Sequence, residues 1–220
     1  MTGGDRPLRI VLVDDQALFR AGISMVIDSQ PDLAVVGEAG DGEEAVRLVE
    51  VMHPDVVLMD VRMPRLDGVS ATRLITQRLG EDAPRILVLT TFDQDELAAD
   101  AIEAGASGFV LKEAQPEFLL AAIRAVADGS QVVAAGATRA IFERFRRRST
   151  RSPGAEYDRL TGREREIMRR AAQGLSNAEI AEAEFLSEAT VKTHISRILT
   201  KLALRDRVQL VVYAYEHDLI

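Results

Sequence analysis

Asp55-Val56-Val57-Leu58-Met59-Asp60 is the stretch that decides the fold. Val56 to Met59 is a continuous apolar run, which reads as a strand buried on both faces, as in a parallel sheet. It ends in a carboxylate, Asp60, followed by Val61-Arg62-Met63-Pro64 and then Asp67-Gly68. In open α/β sheets, chemistry gathers where strand ends meet their loops. A second apolar strand, Ile10 to Val13, also ends in acid, Asp14-Asp15. Side by side, the two strands put three carboxylates in one shallow pocket. Like charges that close cannot all stay ionised without a cation. The pocket therefore suits a hard divalent ion bound through oxygen, such as Mg2+.

Working outward, strands and helices alternate. Leu18, Phe19, Gly22, Ile23, Val26 and Ile27 mark a helix after the first strand. A short strand at Leu33–Val36 and a helix at Glu43–Val51 precede the central strand; a helix follows it from Val69 to Leu79. Arg85–Leu89 is the fourth strand and ends at Thr90, Asp95–Ala104 is helical, and Gly108–Leu111 is the fifth strand and ends at Lys112. The last helix, Glu117–Ala127, carries Phe118, Leu119, Ala122, Ile123 and Val126 on one stripe. Five βα units predict a doubly wound α/β sheet, (βα)5.

The strand ends Asp60, Thr90 and Lys112 then share one edge with Asp14 and Asp15. This set suits phosphoryl transfer onto a carboxylate. Asp60 is the nucleophile, Asp15 a direct Mg2+ ligand with Asp14 beside it, and the backbone carbonyl of Arg62 completes the metal shell. Lys112 neutralises one phosphoryl oxygen and the Thr90 hydroxyl donates to another.

Asp14-Asp15, Asp60, Thr90, Phe109 and Lys112, over residues 8–128, resemble the receiver domain of bacterial response regulators. The resemblance implies that a sensor histidine kinase phosphorylates Asp60. It also implies a switch in which Thr90 moves toward the phosphoryl group and Phe109 turns inward behind it. Many receivers have proline after the lysine; here Glu113 follows. By the same resemblance Arg62 and Phe92 line the path of attacking water, and neither suits orienting it, so slow self-dephosphorylation is expected. One rival is a phosphohydrolase for outside substrates, but such enzymes need a second acid where Arg62 stands. Another is a DNA-binding module whose receiver only scaffolds a dimer, which the intact acidic pocket argues against.

Composition sets the frame. The 220 residues are 47% hydrophobic and include no cysteine, which removes disulfides and thiolate metal sites. Met1 to Pro7 lack the apolar core of a signal peptide, and no uncharged apolar run approaches a membrane span, so a cytoplasmic protein without membrane contact is expected. Residues 1–130 carry 11 basic and 23 acidic residues, and residues 131–220 carry 16 and 12. An acidic half joined to a basic one suggests two domains with different partners. The expected division is a receiver at 1–128, a linker at 129–157 and a DNA-binding domain at 158–220. The linker holds a predicted helix, Ala135–Phe145, and a basic connector, Arg146 to Gly154.

From Leu160 the pattern is purely helical. Thr161 with Glu164 forms a capping box for a helix containing Ile167, Met168, Ala171 and Ala172. Ser176 caps a short helix and Ser187 a longer one, Glu188 to Leu202. The longer helix buries Val191, Ile195, Ile198, Leu199 and Leu202 and shows Thr193, Ser196, Arg197 and Thr200, flanked by Lys192 and Lys201. A short helix, a turn and a helix with a polar, basic face is the plan of a helix-turn-helix that reads double-stranded DNA in the major groove. The segments Leu160–Glu164, Gly174–Asn177, Glu179–Ala181 and Leu186–Ile195 resemble the LuxR-type output domain of the NarL/FixJ branch of response regulators. The resemblance implies Lys192, Thr193 and Ser196 as base-facing positions with Arg197 nearby, Lys201 completing the basic flank, and a structural His194. It also implies homodimerisation in the active state through the last helix, Asp206 to Glu216, whose Val208, Val211, Val212 and Tyr215 are the expected contacts. Glu184 stands where the family usually has leucine, and Ala203 where glycine usually ends the recognition helix.

Overall fold

The computed structural model describes residues 6–91, 95–129, 132–133 and 154–220. The chain divides into two compact units, Met1–Ala137 and Thr138–Ile220. The first contains β1 (Leu8–Val13), α1 (Ala17–Asp28), β2 (Leu33–Ala39), α2 (Gly42–Met52), β3 (Val56–Asp60), α3 (Gly68–Leu79), β4 (Arg85–Thr90), α4 (Asp95–Glu103), β5 (Gly108–Leu111), α5 (Pro116–Ala127) and β6 (Val132–Val133). The expected helix at 135–145, the basic connector up to Pro153, and Phe92 lie outside the described residues.

The strands form one parallel sheet in the order β2-β1-β3-β4-β5-β6. All five residues of β3 are buried, because β3 lies between β1 and β4 and both faces carry helices. Successive side chains alternate faces. Leu12, Leu58, Leu87 and Leu89 meet α1 and α5 through Ile27, Leu119, Ile123 and Val126, while Val11, Val57, Met59 and Val88 are buried on the other face. Burying one leucine of that core contributes about 2 kcal/mol.

Two boundaries differ from expectation. β2 runs on through Gly37-Glu38-Ala39, pairing with Val11, Leu12 and Val13 after a register shift at Ile10/Val11. As an edge strand it is held by backbone bonds that need no apolar side chain, so composition hid its second half. β6 was not foreseen: two residues pair with Gly108 and Phe109 of β5, too short a strand to show any periodicity. It carries the sheet past the expected boundary at 128.

The second unit has a one-turn helix α6 (Ala155–Asp158), then α7 (Gly162–Ala172), α8 (Asn177–Ala183), α9 (Glu188–Leu202) and α10 (Arg207–Glu216). Its core joins Leu160, Ile167, Met168, Ala171, Ile180, Val191, Ile195, Ile198, Leu202, Leu210 and Tyr213. The capping boxes are present at Thr161/Glu164 and at Ser176/Glu179, and Ser187 caps α9. Each cap satisfies amide groups that a helix start leaves open.

Candidate phosphoacceptor site and nucleic-acid interface

Because the strands are parallel, their C-terminal ends converge. Asp14 and Asp15 follow β1, Asp60 ends β3, Thr90 ends β4 and Lys112 follows β5. Asp14, Asp60 and Thr90 are buried, and Asp15 is exposed. One oxygen from each of Asp14, Asp15 and Asp60 lies within 4.8 Å of the others. The Lys112 ammonium bridges the two buried acids, 2.7 Å from Asp14 and 2.9 Å from Asp60.

Burial pushes the Asp60 carboxyl above the usual carboxylate range, assisted by the charge of Asp14. The Lys112 ammonium and the Arg62 amide, which donates to Asp60, oppose that rise without cancelling it. Burial would lower Lys112, but its bonds to Asp14 and Asp60 outweigh this and hold the amine above its ordinary value. The pocket thus has one strong cation of its own, and a carboxylate at Asp60 that favours extra positive charge.

Neighbours that spacing did not reveal complete the site. The Asp14 carboxylate accepts the Gln16 amide at 2.8 Å, and Arg20 donates to the Asp14 carbonyl at 2.6 Å. Phe19 on α1 places its ring 4.9 Å from the Lys112 ammonium, a cation–π contact that holds the lysine over the pocket. Gly68 lies so close to β3 that a methyl there would overlap the Asp60 carbonyl oxygen, which is why Asp67 is followed by glycine. Asp67 and Asp41 are the N-caps of α3 and α2. The Thr90 hydroxyl donates to the Thr91 carbonyl at 3.2 Å, and Phe109 is fully buried.

In the second unit, α9 exposes Lys192, Thr193, Ser196, Arg197 and Thr200 and buries Val191, Ile195, Ile198 and Leu202. Thr193 turns its hydroxyl back to the Ala189 carbonyl at 2.9 Å, leaving its methyl outward. Lys201 departs from expectation. Its ammonium lies 2.7 and 2.9 Å from the two oxygens of the buried Glu164 and 3.2 Å from the Arg159 carbonyl. It ties the end of α9 to the capping box of α7 instead of joining the outward face.

Glu184 is buried, as the leucine it replaces would be, and it is neutralised. Arg170 reaches its carboxylate at 3.0 Å, and Arg163 pairs with the same carboxylate while donating to the Glu184 carbonyl at 2.7 Å. Burial raises the Glu184 carboxyl, but the two arginines outweigh it and hold it low. His194 is half-buried on the flank of α9. On α10, Val208, Val211 and Val212 are buried and Tyr215 is partly open.

Comparison with known proteins agrees with both halves. Residues 10–124 match the family model of the response regulator receiver domain, and residues 158–214 match that of the bacterial regulatory proteins of the luxR family. The chain is 42% identical over 214 residues to YxjL of Bacillus subtilis, described as an uncharacterized transcriptional regulatory protein, covering 97% of each chain. It is 39% identical over 213 residues to the transcriptional regulatory protein LiaR of the same organism, covering 97% of this chain and 99% of that one. Among solved structures, the response regulator ChrA of a heme-sensing two-component system is 36% identical with a TM-score of 0.53, over 97% of this chain and 99% of that chain. The acidic pocket of the first unit and the helix-turn-helix of the second are thus those of a known class of transcriptional regulators: this chain belongs to the response regulators that join a receiver domain to a LuxR-type DNA-binding domain.

Proposed function

We propose that Asp60 accepts a phosphoryl group from a sensor histidine kinase and that the resulting aspartyl phosphate promotes dimerisation and sequence-specific DNA binding. The receiver spans 1–128 with β6 appended, the linker 129–157 and the output domain 158–220. The observation that carries the reading is the convergence of Asp14, Asp15 and Asp60 with Lys112 bridging the two buried acids.

The donor set fits a hard divalent ion. Asp14, Asp15, Asp60 and the Arg62 carbonyl are all oxygen ligands, and no sulfur or imidazole stands among them. Mg2+ held there supplies charge neutralisation for the phosphoryl oxygens. An Asp60 oxygen attacks phosphorus, the nitrogen–phosphorus bond of the donor histidine breaks, and its electron pair stays on the imidazole, which takes up a proton. Lys112 then pairs with a phosphoryl oxygen, giving up part of its hold on Asp60. The Thr90 hydroxyl leaves the Thr91 carbonyl and donates to another oxygen, with Phe109 filling the space behind it. Arg62 offers no group to activate water, so the acyl phosphate persists.

On DNA, Lys192 and Arg197 reach phosphates and base edges and Thr193 and Ser196 face the bases, all four being exposed on one side of α9. Pairing of output domains uses Val208, Val211, Val212 and Tyr215 of α10, and phosphorylation shifts the population toward the paired state. The test is intact-mass measurement after treatment with a small phosphodonor and MgCl2, followed by binding to selected random DNA. One added phosphate on Asp60, with tighter DNA binding and dimers in sedimentation, is expected. No adduct, or an adduct on another residue, refutes the reading.

A further inference from the structure

The loop from Val61 to Asp67 carries Arg62, whose amide holds the Asp60 carboxylate. Two consecutive residues in that loop are tied to the N-cap and first residue of α2. The Arg65 guanidinium pairs with Asp41, a carboxylate whose side chain is only 3% exposed, and the Gly42 amide donates to the Leu66 carbonyl at 3.0 Å. Arg65 has φ 64°, a left-handed conformation that residues other than glycine adopt at a cost. Asp41 divides its two oxygens: Oδ1 accepts the Glu44 amide at 2.9 Å and caps α2, and Oδ2 faces Arg65. A strained backbone and a buried charge are therefore both spent on joining the β3–α3 loop to the turn after β2, the outermost strand, which supplies none of the phosphoacceptor residues.

We propose that Asp41 and Arg65 form an ionic latch that positions the β3–α3 loop, and with it Arg62, for cation binding at Asp14, Asp15 and Asp60. This rests on the Mg2+ reading above and names two further positioning residues for it. The latch can be separated from simple charge effects. Acting through space alone, loss of the Arg65 charge tightens binding of a divalent cation and loss of the Asp41 charge loosens it. A latch gives loosening in both cases, and little more when both groups are changed together.

The experiment is isothermal titration of the full chain with MgCl2 for the wild type, Arg65→Ala, Asp41→Asn and the double variant. Asparagine keeps the side-chain oxygen that caps α2. Arg65→Gly removes the guanidinium while relieving the left-handed strain, so a folded chain without the latch is tested even where alanine is poorly tolerated. Each single variant should bind Mg2+ about tenfold more weakly, as loss of a partner that orients metal ligands typically does. The double variant should match the singles within about twofold. Arg65→Ala or Arg65→Gly binding as tightly as the wild type, or more tightly, overturns the latch, as does an additive double variant. A wild type that gives no saturable binding overturns the cation reading itself and the latch with it.

Discussion

Ala203 offers a measurement of backbone strain with little else changed. It closes α9 at φ 53°, ψ 41°, in the left-handed region. The Leu204 amide bonds to the Leu199 carbonyl at 2.9 Å and the Ala203 amide to the Thr200 carbonyl at 3.3 Å, the paired bonds of a Schellman ending in which glycine is the favoured residue. Holding alanine there costs about 1–2 kcal/mol. Glycine removes that cost but makes the unfolded chain freer by about 0.4–1 kcal/mol. The methyl is exposed, so no buried area is lost. Ala203→Gly should therefore stabilise the output unit by about 0.8 kcal/mol, the centre of the difference between those two ranges. For a unit of some 60 residues that raises Tm by about 3–8 °C. The full chain carries its own reporter: the three tyrosines, Tyr157, Tyr213 and Tyr215, all lie in the second unit and there is no tryptophan. Thermal unfolding followed by tyrosine fluorescence thus reads that unit within the intact protein. An unchanged or lower midpoint would show that the left-handed turn is not strained and would refute the reasoning.

Two glycines should respond in opposite senses. Gly68→Ala drives a methyl into the Asp60 carbonyl and should cost about 1–3 kcal/mol together with the phosphodonor reaction, while Gly22→Ala, in open space within α1, should add about 0.5–1 kcal/mol; calorimetry on both variants decides it. Lys201→Gln should lower the output unit's stability by about 1–3 kcal/mol, because it leaves Glu164 buried without its cation, yet leave the salt dependence of DNA binding unchanged. Lys192→Gln should instead reduce the slope of log affinity against log salt by about 1, so a reduced slope for Lys201→Gln would restore it to the DNA face. Burial raises Glu164, but Lys201 and the Thr161 cap outweigh it and hold the carboxyl below 4.5. Its stabilisation is therefore present above pH 4.5 and lost as pH falls through the lower folded value, and tyrosine-detected unfolding at graded pH should show this loss shrink in Lys201→Gln. Asp60 shifts the other way: its raised carboxyl binds a proton at higher pH than a free aspartate, so Mg2+ affinity should begin to fall while ordinary carboxylates are still ionised, measurable by calorimetric titration across pH 4–7.

Much of this protein was legible from local pattern. The run Val56–Met59 reads as a doubly covered strand because only a strand with helices on both faces leaves no polar side, and β3 is such a strand. Thr161/Glu164 and Ser176/Glu179 cap helices because both partners lie within one turn. Asp14, Asp60, Thr90 and Lys112 meet because parallel strands bring their C-terminal ends to one edge, which connectivity alone dictates.

Charge pairing is where local pattern stops. The chain has 27 basic and 35 acidic residues, and spacing does not say which will meet. Lys201 has the composition of a DNA contact but faces Glu164, 37 residues earlier, because α9 ends beside the start of α7. Glu184 occupies a leucine's place and is tolerated because Arg163 and Arg170, about two turns apart on α7, both face it. The tie between Asp41 and Arg65 and the two-residue β6 belong to the same kind. Periodicity and capping are written within a few residues of chain. The partner of a charge, and the openness of an apolar face, are set only once distant elements have packed and water has been excluded between them.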